Sequence, residues 1–469
     1  LFGFNTHNQL PSPSLRKQFG LAELPAQKSL EQAIAEQQGD FSKDYDWTNF
    51  ETVISTSTDE VAISHGELVA QWQENDRNFY HYKTNGKIRN VLAYLSGRYL
   101  VANRVVDNVN LQVYYHKNHQ QNVEHTLDAM SATLKYANQH FSRYPAKDLR
   151  LLEAPRVLGM TGYALPQVML ISEHGGFRDD LTNNSNIHST QRSSFDQVYR
   201  RTAHEVAHQW WGHGLNGAAQ EGGAILVETL AKYTELVLLE QKYGREYVRK
   251  LLRHEHQRYF FGRARSSENE LPLYRADANH LIYSKGAVAM YALKEALGEA
   301  VINQALRQLM NHHSYPKPPA TTLDLMTALK TFSQPAQEKL VDLWFKDVEI
   351  KDLSIVSASY QKLSDMNYQV DVCLKAEQTN VTEFDEPRST ANKTLVWLGI
   401  LTSHPDELVT KGSDSEILKI EQFNLGNQEK CLTWTVKEQP SHVAIDPFYN
   451  QLDQNRDNNV LVPVNTLLN

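Results

Sequence analysis

Hydrophobic periodicity changes twice along this chain, and the two changes constrain the fold more than any other feature. From Tyr45 to about residue 120 apolar positions alternate, as in Phe50-Glu51-Thr52-Val53-Ile54-Ser55-Thr56, Phe79-Tyr80-His81-Tyr82 and Leu111 to Tyr115. A period of two rich in aromatic and β-branched residues predicts strands. From Thr126 the period becomes helical, with Leu127, Met130, Leu134, Tyr136 and Ala137 at near-helical spacing. After about Asp352 alternation returns, in Tyr368 to Leu374 and Cys431 to Val436. The expectation is an α+β multidomain protein: an N-terminal β domain over 1–125, a mostly helical α+β domain over 126–350 and a C-terminal β-sandwich over 351–469. The 469 residues suit three domains of ordinary size.

Within the middle segment, Arg150-Leu151-Leu152 and Val168 to Ile171 read as strands, separated by a Gly159-Met160-Thr161-Gly162 turn signal. Ser193 or Ser194 is placed to cap a helix running on through Trp210. A second helix is expected from about Ala224 to Tyr243, stopped by Gly244, and more around 245–260, 284–297, 300–312 and 322–332.

Composition excludes some roles. The net charge of −8 argues against a nucleic-acid binder that relies on a basic surface. No apolar run approaches the 18 residues of a membrane-spanning helix. Cys373 and Cys431 lie too far apart for a zinc ribbon and are either one disulfide or two buried thiols. The start, Leu1-Phe2-Gly3, reads as that of a processed protein or excised fragment.

The chemistry centres on His204-Glu205-Val206-Ala207-His208. Residues four apart on a helix share a face, so both imidazoles can reach one metal ion. Glu205 then lies beside the metal without having to bind it, as a carboxylate must to take a proton from water. A Gly-rich connection, Gly214 to Gly223, leads to a helix carrying Glu228 among apolar neighbours. A carboxylate there is costly unless paired or metal-bound, and as a third ligand it would leave one zinc position open. Other nearby groups read as structural. His213 is a surface or supporting histidine, on the far side of the helix if it extends that far. Trp210 and Trp211 are core residues, His174 is a loop residue, and Glu235 and Glu240 sit on the solvated side of their helix.

The run His204-Glu205-Val206-Ala207-His208-Gln209-Trp210-Trp211-Gly212 resembles the zinc aminopeptidases of the aminopeptidase N and leukotriene hydrolase type, the gluzincins. Ile282-Tyr283-Ser284-Lys285-Gly286-Ala287 is similar to their Tyr-Glu-Lys-Gly segment. The resemblance implies a thermolysin-like catalytic domain with zinc held by His204, His208 and Glu228. It makes Glu205 the base that activates water and Tyr283 the hydroxyl that steadies the oxyanion.

Two positions depart from the family. Nineteen residues, Gln209 to Val227, separate the second histidine from Glu228, one more than usual, which reads as an insertion in the connecting loop. In Thr161-Gly162-Tyr163-Ala164-Leu165, Ala164 stands where the family places the glutamate that binds the substrate's free amine. Glu153 and Glu173 are candidate substitutes. Both departures are similar to a bacterial branch in which the peptidase follows a transporter-like permease. That similarity implies a partial N-terminal domain and attachment to the membrane, with the periplasm one possible side. The expected substrate is a peptide, and the alternative is a non-catalytic zinc- or peptide-binding module of a transporter assembly.

Overall fold

The computed structural model describes residues 13–22, 28–37, 47–158, 161–179, 195–215, 217, 220–266, 269–364, 366–380, 388–389, 394–407 and 416–466. Ser193, Ser194, the Gly159-Met160 part of the turn signal and the first residues of the chain lie outside them.

The N-terminal region is built from antiparallel strands. Glu51–Ser57, Arg77–Lys83 and Glu67–Glu74 form a three-stranded sheet. Its Asn75-Asp76 turn has φ of 48° and 54°, and the Asp107-Asn108 turn further on has 49° and 65°. Two consecutive left-handed residues make the turn whose twist matches a hairpin, and Asn and Asp tolerate it best after Gly.

A five-stranded sheet carries the site. Its order is Gly162–Leu165, Val168–Ser172, Asp148–Ala154, Val109–Tyr115 and Leu100–Val106. The three middle strands are parallel, and Gly162–Leu165 is an antiparallel edge strand. The sheet thus takes strands from both sides of residue 125. Its middle strands are apolar on both faces, as burial on both faces requires. Leu149, Leu151, Met169 and Ile171 face the helices, whereas Leu152, Ala154, Val168 and Leu170 face the N-terminal β region. Buried Arg150 ties the two layers together. It donates to the Gly66 carbonyl at 2.7 Å, pairs with Asp148 at 3.1 Å and stacks over the Tyr82 ring at 5.2 Å.

Helices cover the other face. Val123–His140 and Gln197–Ala207 lie side by side on the sheet, the first over Leu100–Val106 and Val109–Tyr115 and the second over Gly162–Leu165 and Val168–Ser172, and Glu228–Tyr243 packs against that pair. The expected helix ends hold at Gly244, whose φ of 88° only glycine adopts readily. They fail at two other places. The helix with both histidines begins at Gln197, capped by Asp196, and stops at Ala207, well short of Trp210. The next helix starts at Glu228 after a 3-10 turn, Gly223–Leu226.

The C-terminal region is the expected sandwich. One sheet is built on the long hairpin Glu349–Ser364 and Asn367–Asn380, the other on Thr394–Leu401. Leu353 and Ile355 point inward, then Ala358 and Tyr360. The parity changes because a bulge falls between Ile355 and Ser357 and leaves Val356 exposed. Cys373 and Cys431 stand opposite each other on neighbouring strands and form a disulfide. The reading as two free buried thiols therefore does not hold, and Cys431 is exposed. The sandwich meets the helical domain where Arg249 pairs with Asp406 at 2.7 Å and His256 accepts from the Asp453 amide at 3.1 Å. No helix among the described residues is long and apolar enough to cross a membrane.

Candidate active site

Asp196 opens the helix that carries His204. Its Oδ1 accepts from the Tyr199 amide at 2.9 Å, and its Oδ2 meets His125 Nε2 at 2.5 Å. A carboxylate here satisfies orphan amides and suits the positive end of the helix dipole. Eight residues on, His204 and His208 lie one turn apart with ring centroids 4.8 Å apart and planes at 89°. His208 caps the C-terminal end of the helix, and its Nδ1 bonds the Trp211 carbonyl at 2.9 Å. That bond places the proton on Nδ1 and leaves Nε2 for a metal.

Glu228 enters from the start of the following helix. Its Oε2 lies 3.5 Å from His204 Nε2 and 3.5 Å from His208 Nε2, and this buried oxygen has no hydrogen-bond partner. The three ligand atoms lie within 4.8 Å of one another. Bonds of about 2.0–2.1 Å at tetrahedral angles would set ligand atoms about 3.3–3.5 Å apart, so the trio fits zinc. The orphaned oxygen equidistant from both imidazoles is the direct sign of that fit. Val227 instead packs beside Gly212, so the loop's extra residue brings Glu228 rather than its predecessor to the histidines.

Glu205 lies one residue from the first histidine and is buried. Burial pushes its carboxyl up, and the two imidazoles oppose this only in part. Space beside it exists only because residue 162 is glycine: a Cβ there would stand 2.1 Å from Glu205 Oε1. The edge strand therefore runs directly against the base.

Tyr283 occupies a π-helical turn, His280–Lys285, between two α-helices. Such turns recur where a side chain must be aimed out of register. Its neighbours hold the turn in place. Ser284 donates to Glu255 at 2.9 Å, Lys285 pairs with Glu270 at 2.7 Å, and Gly286 permits close contact with Thr229. The Tyr283 ring lies 6.2 Å from that of His204. Burial, then the carboxylates of Glu228 and Glu205, push its hydroxyl well above the usual tyrosine range. It is therefore a proton-bearing donor at neutral pH.

One functional residue was missed. Glu235, read as solvated, is 2% exposed, and its Oε2 faces His204 Nδ1 at 3.3 Å. Its other oxygen pairs with Lys232 at 2.7 Å and with Arg200. Burial opposes its charge, but Lys232, Arg200 and His204 hold the carboxyl far below the usual range. Burial also opposes charge on His204, yet Glu228, Glu235 and Glu205 raise it to about 10. Carboxylates on two sides of the imidazole pair make this a place where a divalent cation is favoured. A signal was present: Glu228, Lys232 and Glu235 fall at i, i+4 and i+7 on one helix face. Glu240 is part-buried and paired with Lys294. Glu235→Gln should keep the fold by circular dichroism but weaken metal affinity about 10–100-fold, the usual cost of losing such a partner. A change under twofold in a competition titration would remove Glu235 from this role.

The remaining candidates divide cleanly. Trp210 and Trp211 are buried, their indole N–H groups donating to the Ser142 carbonyl at 2.7 Å and to Thr234 at 3.0 Å. His174 is exposed. His213 follows the helix end, its amide donating to the His208 carbonyl at 3.1 Å, and burial lowers its imidazole to about 3. Neither proposed substitute for the amine anchor is free. Glu153 is buried against the His116 amide and His119, and Glu173 accepts from the Arg156 amide.

A parallel-cored sheet with an antiparallel edge strand carries a His-Glu-x-x-His helix and a following glutamate. Residues 125–345, a little under half of the chain, match the peptidase family M1 domain, which indicates a peptidase. M1 peptidases are generally zinc-dependent, as the donor set here suits. No curated protein matches the chain.

Proposed function

We propose that the chain hydrolyses peptide bonds with zinc held by His204, His208 and Glu228, Glu205 as the base and Tyr283 as the oxyanion donor. The supporting observation is the buried, unpartnered Glu228 oxygen set equally between two imidazoles beside a desolvated carboxylate. Zinc in that position supplies Lewis acidity for the carbonyl and lowers the pKa of water.

The chain's own groups do the rest. A peptide lying along the open edge of Gly162–Leu165 presents its carbonyl between Glu205 and Tyr283. Glu205 takes a proton as the water oxygen bonds to the carbonyl carbon. Tyr283 donates to the carbonyl oxygen as negative charge gathers there, an interaction stronger in the transition state than in the ground state. Glu205 then delivers its proton to the amide nitrogen, the C–N bond breaks, and the remaining water proton passes from the new carboxylic acid to the amine, so that a carboxylate and an ammonium leave.

The architecture is aminopeptidase-like, but the methyl of Ala164 cannot pair with an ammonium. Peptides with free and N-acetylated termini should therefore be cut at rates within about tenfold of each other. Each equivalent tenfold is about 1.4 kcal/mol, less than a buried charge pair supplies. Chelation should abolish both activities and added zinc should restore them. Hydrolysis that survives complete metal removal would sink the zinc reading, and loss of cleavage on acetylation alone would show that another group anchors the amine. The Cys373–Cys431 disulfide supports an oxidising compartment. Together with the resemblance to permease-fused relatives, it supports a peptidase held at the outer side of a membrane.

A further inference from the structure

A cavity of about 410 Å³ lies behind the metal-binding segment, walled by the N-terminal β region, the edge-strand hairpin and the chain just past His208. Its lining includes Lys87, Arg89, Arg143 and Lys317 and, among the described residues, no carboxylate; Arg89 donates to the Gly212 carbonyl at 2.8 Å and Lys317 to the Asn311 carbonyl, so the inference rests on Lys87 and Arg143. In a chain of net charge −8 such a concentration is unexpected from composition. Like charges gathered around one cavity repel each other, and a low-dielectric wall focuses their field on whatever enters. Trp47 and Tyr315 stack across the rim at 4.5 Å, with the Lys87 ammonium 5.8 Å from the Tyr315 ring. His213 adds a buried Nδ1 that has no hydrogen-bond partner.

The cavity is joined to the catalytic groups by one hairpin. Gly162 at its start lies against Glu205, and Pro166 and Gln167 at its turn line the cavity. Four strand residues at about 3.3 Å each span about 13 Å. Gln209, next to the ligand His208, clamps that turn by accepting from the Gln167 amide at 2.7 Å and donating to the Leu165 carbonyl at 2.9 Å. An extended peptide with its cleaved bond at Glu205 thus needs only about four residues to reach the cations.

The geometry points to this cavity as a carboxylate-binding subsite, taking an acidic side chain of the peptide a few residues from the cleaved bond. The inference rests on the peptidase reading and adds a substrate class to it. A cationic cavity also disfavours a free ammonium nearby, in keeping with alanine at 164.

The test uses internally quenched peptides in which one Glu is moved from the fourth residue before the cleaved bond to the fourth after it, each with a Gln twin. At one position the Glu peptide should show a kcat/KM about tenfold above its twin, since Lys87 and Arg143 each contribute modestly. The preference should shrink in high salt. It should fall to about one in Lys87→Gln/Arg143→Gln and be kept by Arg143→Lys alone. Arg143 is exposed, so Arg143→Glu should fold even if the double variant does not, and should turn the preference toward a Lys twin. A ratio near one at every position, or a preference that survives Arg143→Glu unchanged, overturns the subsite. Neither result touches the peptidase reading, which fails only if the Gln twins are not cut in a metal-dependent way.

Discussion

Glu205→Gln is expected to bind metal as the parent does and to lose about 10³-fold or more in kcat, within the range for removal of a general base. The amide has the shape of the carboxylate, so it fits the space that Gly162 leaves open beside residue 205. It cannot take a proton from water or return one to the departing amine, so both halves of the reaction lose their carrier. The metal ligands are other residues and their separations do not depend on this side chain. Metal content by elemental analysis and single-turnover rates on one peptide measure the two halves of the claim. Turnover within tenfold of the parent would show that another group moves the proton.

Tyr283→Phe should lower kcat about 10²–10³-fold with little change in KM, the signature of a donor used only as charge develops. The argument depends on the hydroxyl keeping its proton, and burial beside two carboxylates ensures that. The fold should be unaffected, since Ser284, Lys285 and Gly286 hold the π turn without the phenol oxygen. Steady-state kinetics separate the outcomes. A raised KM with kcat intact would make Tyr283 a substrate-binding group and leave the oxyanion to other donors.

The proposed metal ligands and the proposed oxyanion donor are steadied by different contacts, which one ion network joins. The first depends on Glu235, which steadies His204 from behind while Arg200 and Lys232 steady Glu235. The second depends on a turn held by Glu255 and Glu270. Lys232 also reaches Glu255, at 3.1 Å, so one buried ion network passes behind both. Removing one member of such a network costs more than its share, because it leaves the others charged and unpaired.

Several elements were legible before any coordinates. The order of β, helical and β segments follows from period, because a side chain's direction repeats every two residues in a strand and every 3.6 in a helix. Gly244 marks its helix end by conformation alone. The spacing of His204 and His208 commits them to one helix face whatever surrounds the helix. Other readings failed for reasons lying in distant parts of the chain. Glu235 looks solvated because a lone carboxylate usually is, yet its cations come from two helices. The Gln197–Ala207 helix stops early because Gln209 turns away to clamp the hairpin at Gln167. The bulge after Ile355 shifts a strand's parity by one residue, which alternation alone does not reveal.

Local rules of short range therefore determined the element types and the histidine pair, each readable from adjacent residues. Only the tertiary structure brought Glu235 behind His204 and gathered cations from separate segments around one cavity. These depend on where separate segments come to rest against one another. That is set by packing of the whole core, a sum over contacts that no local spacing contains.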